Sequence, residues 1–174
     1  MDQLDHMLRE GGGRVPGYSI LLILDSVRSM HNVGAAFRTA DAMGVEAIYL
    51  CGYTPRPPHR DIHKTALGAT ETVKWKGFER VDQALTECRH MGYSLFGVEQ
   101  TSPSILLQDF EPASRNIALV FGNEVEGISE QALEYLEACI EIPQFGKKHS
   151  LNLSISMGMV LWELNGRRAR PSTP

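Results

Sequence analysis

Cysteine is scarce. The 174-residue chain has three, Cys51, Cys88 and Cys139. They are far apart and odd in number, and no Cys-x-x-Cys pair occurs. Neither a disulfide framework nor a zinc knuckle is supported. A reducing cytoplasm is the simplest setting. Long apolar runs are missing too. Ile20 to Leu24 is only strand length, far short of the ~20 residues of a membrane helix. Met1 to Glu10 mixes charges without an apolar stretch, so neither a signal segment nor a membrane partner is expected. Excess positive charge is absent. The formal net charge is −4, which argues against a bulk electrostatic nucleic-acid binder and leaves only local basic patches open.

Several common catalytic signatures are also absent. No Gly-x-Gly-x-x-Gly follows a strand, which removes the dinucleotide fingerprint. The segment from Gly122 to Gly127 lacks the Lys-Ser/Thr of a phosphate-binding loop. No Gly-x-Ser-x-Gly occurs, so there is no nucleophile elbow. His59 and His63 stand at i and i+4 around Asp61, in a proline-rich stretch read as a loop. No third ligand is near them, and no metal is expected.

What is present is an ordinary globular composition, 43% apolar and 22% charged. The length suits one domain, with 1–17 as an extension ending near Gly11-Gly12-Gly13, 18–165 as the core and 166–174 as a tail. Residues 18–25 read as a buried strand. Residues 32–43 read as a helix, with Asn32 as N-cap and Gly44 as stop. Its first turn holds Gly34, Ala35 and Ala36 and is thin, so something packs closely there. Strands are expected at 46–51, 73–75, 93–98, 117–121 and 139–142, and helices at 81–90, 129–137 and 153–164. Residues 52–65 read as a long loop.

Strands alternating with helices predict a mostly parallel α/β sheet with helices on both faces. The polar, glycine-bearing loops at 25–32, 98–104, 122–128 and 144–152 all follow strands, where such sheets bind ligands. The last helix carries two apolar rows. Leu153, Met157, Val160 and Leu164 form one; Ile155, Met159 and Trp162 form another. A helix apolar on two sides must be covered on two sides. Ser150, Asn152 and Ser154 form a polar entrance to it. Basic residues bunch at Arg56 to Lys64, at Lys147 to His149 and at Arg167 to Arg170. Each cluster alone reads as solvated surface.

Three stretches gain weight together. They are Asn32-Val-Gly-Ala-Ala-Phe-Arg38-Thr-Ala-Asp41, then Leu119-Val-Phe-Gly122-Asn-Glu124-Val-Glu-Gly127-Ile-Ser129, then Ile142-Pro143 with Gly146 and Ser150-Leu-Asn152-Leu-Ser154. In this order and spacing they resemble the motifs of the SpoU (TrmH-like) branch of the SPOUT RNA methyltransferases. The resemblance covers about residues 18–165. It implies a sheet whose C-terminal part is threaded as a deep trefoil knot, which local connection rules would not predict. It implies S-adenosylmethionine (AdoMet) held in the knot, a homodimer through the final helix, and methylation of a ribose 2′-hydroxyl of tRNA or rRNA.

The motif match implies a catalytic set of Asn32, Arg38, Glu124, Ser150 and Asn152. It implies cofactor contacts at Val98, Gly122, Asn123, Ile142, Ser150 and Leu151. Pooled from two chains, Arg28, Arg56, Arg60, Lys147 and Lys148 would give one basic track for RNA. Val125 departs from the Gly often found after the motif's Glu, and Ser156-Met157-Gly158 replaces a more alanine-like run. Two alternatives stay open. One is an inactive, knotted RNA-binding dimer; the other is an AdoMet enzyme acting on a different acceptor.

Overall fold

The computed structural model describes residues 18–147 and 150–169. Strand β1, Ser19–Asp25, is the organising element. Its residues Ile20 to Leu24 are at most 2% exposed. Such a run is buried on both faces only if the strand is central. Accordingly β1 pairs in parallel with β2, Ala47–Cys51, on one side and with β6, Asn116–Phe121, on the other. The sheet is completed by β3 (Lys74–Phe78), β4 (Ser94–Val98), β5 (Ile105–Leu106) and β7 (Ala138–Glu141). The strand order is β3-β2-β1-β6-β4-β7-β5, with every pairing parallel.

Alternate residues of β1 feed two cores. Ile20, Leu22 and Leu24 pack under α1 (Met30–Met43), α2 (Arg60–Ala66), α3 (Ala69–Thr72) and α6 (Leu153–Ala169). Leu21 and Ile23 pack on the other face under α4 (Val81–His90) and α5 (Glu130–Leu133). This is the expected α/β sheet with helices on both faces.

Several local expectations change. Helix α1 starts two residues before Asn32, and its N-cap is Ser29, whose Oγ accepts from the Asn32 N–H at 3.1 Å. Ser29 is the right distance from the first free N–H groups, and this leaves the Asn32 amide for another partner. Gly44 does end the helix, at φ 65°. The stretch 52–65 is not all loop, because α2 occupies its second half. His59 Nδ1 accepts from the Asp61 N–H, and Leu67 and Gly68 at positive φ end the helix. What pays for α2 is burial of Ile62 and Ala66 against α1. The thin first turn of α1 is where α2 docks. A Cβ on Gly34 would lie 1.8 Å from Thr65 Oγ1 and 2.5 Å from the Ile62 carbonyl oxygen.

The helix expected at 129–137 is a single turn with Ser129 as cap. Strand β5 and a 3-10 turn, Leu107–Asp109, had no counterpart in the sequence reading. Helix α6 begins at Leu153 as expected and runs past 164 to Ala169. Its two rows separate as predicted. Leu153, Met157, Val160 and Leu164 are buried, whereas Ile155, Met159 and Trp162 are 55%, 43% and 69% exposed. A Cβ at Gly158 would meet nothing within 4 Å. No helix among the described residues is long and apolar enough to cross a membrane.

Candidate functional site at the carboxyl ends of the central strands

Strands β1 and β6 are neighbours, so the loops leaving their carboxyl ends lie side by side. Ser26, just after β1, takes φ 54°, and its carbonyl accepts from Asn123 Nδ2 at 2.8 Å. Asn123 Oδ1 accepts from the N–H groups of Val125 and Glu126 at 2.9 and 3.1 Å. Asn123 and Gly127 exchange both backbone hydrogen bonds at 2.9 Å. The loop therefore closes on itself around one amide side chain. Gly122 and Gly127 permit it. A Cβ on Gly122 would lie 2.1 Å from the Gly127 carbonyl carbon, and Gly127 sits at φ 73°. Only glycine takes the first contact, and glycine takes the second conformation at no steric cost.

Glu124 projects from this loop back to the start of α1. Its carboxylate accepts from Asn32 Nδ2 at 3.0 Å and from the N–H groups of Arg28 and Ser29, both at 3.1 Å. Partial burial pushes its pKa up, but the hydrogen bonds from Asn32 and the Arg28 and Ser29 backbone outweigh that and hold it below the ordinary carboxylate value. Asn32 is only 4% exposed, while Glu124 is exposed. The first and second motifs are thus joined directly.

Two carboxylates that the sequence reading missed support this arrangement. Asp25, 4% exposed at the end of β1, accepts from Ser129 N–H and Oγ at 3.0 and 2.6 Å. Glu99, just after β4, accepts from the Ile128 N–H at 3.2 Å and the Gln100 N–H at 3.1 Å. The available signal was position. Both are acids at strand ends facing a glycine-bearing loop.

The remaining predicted residues are placed as follows. Arg38 lies on the exposed face of α1 and makes no hydrogen bond or ion pair among the described residues. Asn152 caps α6. Its Oδ1 accepts from Ser154 N–H and Oγ at 2.9 and 2.6 Å. Ser150, Leu151 and Asn152 are exposed. Within one chain, neither Arg38, Ser150 nor Asn152 bonds to the Asn32–Glu124 pair. Val98 is half-buried at the end of β4, and Ile142 is 7% exposed just beyond β7. These two, with Gly122 and Asn123 after β6, belong to three adjacent strands, β6-β4-β7. Exposed Leu151 and Phe145 add apolar surface to the segment after β7. Half-buried Val98 and exposed Leu151 and Phe145 leave apolar surface of the kind a planar heterocycle packs on.

Of the basic residues, Arg28, Arg60 and Lys147 are exposed. Arg56 is engaged by the protein itself. Its guanidinium donates to the Phe78 carbonyl at 2.9 Å and pairs with Glu79 at 3.5 Å. Lys148 lies outside the described residues. Among the described residues no three His, Cys, Asp or Glu side chains gather as a metal site.

The sequence profile of the SpoU rRNA Methylase family matches residues 19–162. The chain is 36% identical over 149 residues to the 23S rRNA (guanosine-2'-O-)-methyltransferase RlmB of Neisseria meningitidis serogroup B, covering 86% of this chain and 59% of that protein. It is 31% identical over 153 residues to the tRNA (guanosine(18)-2'-O)-methyltransferase of Aquifex aeolicus, covering 86% of this chain and 70% of the relative. The fold superposes with a TM-score of 0.81 and 26% identity on an AdoMet-bound rRNA methyltransferase from Sinorhizobium meliloti, covering 88% of this chain and 58% of that one. The chain spans 55–63% of the length of several RlmB relatives it matches. The joined motifs, the parallel sheet and the matched profile lead to one conclusion: the chain belongs to the SpoU rRNA Methylase family.

Proposed function

We propose that this chain is an AdoMet-dependent RNA methyltransferase acting on a ribose 2′-hydroxyl of tRNA or rRNA. The reading includes a cytoplasmic homodimer and a knotted C-terminal part. The observation that carries it is the Asn32–Glu124 bond, which locks the first motif to the second at the carboxyl edge of the sheet. The names of the relatives, rRNA and tRNA 2′-O-methyltransferases, support the substrate class. The AdoMet-bound relative supports the cofactor.

Val98, Gly122, Asn123, Ile142, Ser150 and Leu151 would hold AdoMet, and the accessible apolar surface of Val98 and Leu151 suits its adenosine. When bound, AdoMet supplies a methyl group already activated by its sulfonium. The protein's task is to align the ribose oxygen and to manage the departing proton. Orientation alone is worth about 7–11 kcal/mol in favourable cases. We assign Arg38 to a fork that holds a substrate phosphate and stabilises the developing alkoxide. Guanidinium groups stay protonated in proteins, so a direct base role would need relay through that phosphate. Asn32 and Glu124 fix the loop beside it. Ser150 and Asn152 come from the segment before α6, whose exposed Ile155, Met159 and Trp162 row supports dimerisation there. A second copy would complete the catalytic set and the basic track of Arg28, Arg60 and Lys147, with Arg56 and Lys148 as further candidates.

The test uses tritiated AdoMet with unmodified tRNA and rRNA transcripts. Expected is tritium in alkali-resistant dinucleotides, because a 2′-O-methyl group blocks strand cleavage. Label confined to bases, or no transfer to any RNA while AdoMet binds, would overturn the reading. Arg38→Lys should lose nearly all turnover with AdoMet affinity unchanged.

A further inference from the structure

Tyr53 is 81% exposed, yet the backbone on both sides of it is hydrogen-bonded to the sheet. Before it, Gly52 at φ 59° donates to the Phe78 carbonyl at 3.1 Å. After it, Thr54 is 3% exposed. Its N–H donates to the Cys51 carbonyl at 3.2 Å, its Oγ1 donates to the Leu24 carbonyl at 3.0 Å, and the same oxygen accepts from the Val27 N–H at 3.1 Å. Two residues on, Arg56 is fastened to the Phe78 carbonyl. The loop is stapled to the ends of β1 and β3, and the aromatic ring is held out between the staples. A single exposed aromatic needs no explanation. A ring on a fixed backbone, beside an exposed cation, does.

That cation is Arg28. Tyr53, Arg28, Met30 and Pro55 line a cleft of about 290 Å³. The Arg28 backbone N–H is one of the three donors to Glu124, so the cleft adjoins the motif junction. Its guanidinium makes no ion pair among the described residues. The strand order gives the cleft a side. Val98 ends β4, and Gly122 and Ile142 follow β6 and β7, whereas Arg28 and Tyr53 follow β1 and β2. The Asn32–Glu124 bond sits on the boundary between these halves.

We propose that Tyr53 and Arg28 form a base-stacking clamp for an unpaired base of the substrate RNA, on the opposite side of the Asn32–Glu124 junction from the AdoMet contacts. RNA bases splayed from a loop are recognised by stacking on aromatic rings and guanidinium planes. An exposed arginine beside the ring in a chain of net charge −4 concentrates positive potential where a polyanion must approach. The inference rests on the methyltransferase reading given above, and its test separates the two.

The proteins are wild type, Tyr53→Ala and Tyr53→Phe. The probe is a set of unmodified tRNA and rRNA-fragment transcripts. Four quantities are measured: RNA affinity by fluorescence anisotropy, KM and kcat for tritiated methyl transfer, AdoMet affinity by calorimetry, and mass by sedimentation. Tyr53→Ala should weaken RNA binding and raise the RNA KM about tenfold, with AdoMet affinity and mass unchanged. Tyr53→Phe should recover most of the loss, because the ring remains. RNA affinity of Tyr53→Ala within about twofold of wild type overturns the clamp. A drop in AdoMet affinity, or a change in mass, overturns it as well, because the ring then serves the cofactor or a subunit contact. If wild type binds RNA but transfers no methyl group, the reaction is wrong, and the anisotropy comparison still decides the clamp. If wild type binds no RNA, both fall.

Discussion

Asn32 Nδ2 donates to Glu124 Oε1 across 3.0 Å and joins the first turn of α1 to the loop after β6, 92 residues apart in sequence. Asn32 is buried, Glu124 is exposed, and solvent recovers part of what is lost when the bond breaks. A hydrogen bond to a charged group is worth about 1.5–3 kcal/mol when well sheltered, so about 1 kcal/mol is expected here. In a double-mutant cycle of Asn32→Ala and Glu124→Ala, urea unfolding should give a coupling energy of that size. Strict additivity would show that the helix start and the loop are held by other contacts.

The same carboxylate predicts a pH dependence. Its folded pKa is lowered by its hydrogen bonds despite burial. The sign follows. Its contribution is complete above the unfolded carboxylate value of about 4.3 and is lost as pH falls through the lower folded value. Stability of wild type relative to Glu124→Gln should therefore shrink on acidification below that range and stay constant from neutral pH down to it. A difference that grows with acid would contradict the assignment.

Gly122→Ala should be poorly tolerated. The new methyl would lie 2.1 Å from the Gly127 carbonyl carbon and 2.2 Å from the Ile128 nitrogen, both backbone atoms. Relief requires opening the loop, at a cost of about 1–3 kcal/mol. Calorimetric titration should show AdoMet affinity falling by more than the melting temperature suggests. Unchanged affinity would remove this loop from the cofactor contacts.

The exposed row on α6 predicts the assembly. Trp162→Glu alters a side chain already 69% exposed, so the isolated fold should change by no more than about 0.5 kcal/mol. Sedimentation of wild type should give twice the chain mass, and the variant should give the single-chain mass. The wild-type melting temperature should rise with protein concentration. Equal masses would place any subunit contact elsewhere.

Cys51, Cys88 and Cys139 are all buried, and burial raises each thiol, Cys88 to about 12. Only thiolates react readily. A thiol reagent at pH 8 should label none of them in the native protein and all three in denaturant. Rapid native labelling of one would reveal a local opening.

The sequence reading located α4 to the residue and placed β1, β6 and the start of α6 closely, because each carries a complete local pattern. The run Ile20 to Leu24 needs two covered faces, and Gly44 needs a left-handed turn. It missed α2, because Pro57, Pro58 and a polar composition outweighed the two buried residues, Ile62 and Ala66, that hold that helix. It missed β5, where only two residues pair, with β7. It gave the cap of α1 to Asn32 rather than Ser29. A cap is chosen by which polar side chain is free, and Asn32 is committed to a residue 92 positions away.

Periodicity and residue chemistry are local properties, so the fold class, the two apolar rows of α6 and the identity of the motif residues are legible in the chain. Which motif residues meet is set by packing across the sheet. Strand β6 enters the sheet beside β1, and that non-local choice sets Glu124 against Asn32. The fold also brings Tyr53 and Arg28 to one cleft, a juxtaposition with no trace in spacing because it depends on two loops from adjacent parallel strands. Strand order is fixed by the joint burial of two cores on opposite faces of the sheet, and no single segment carries that information.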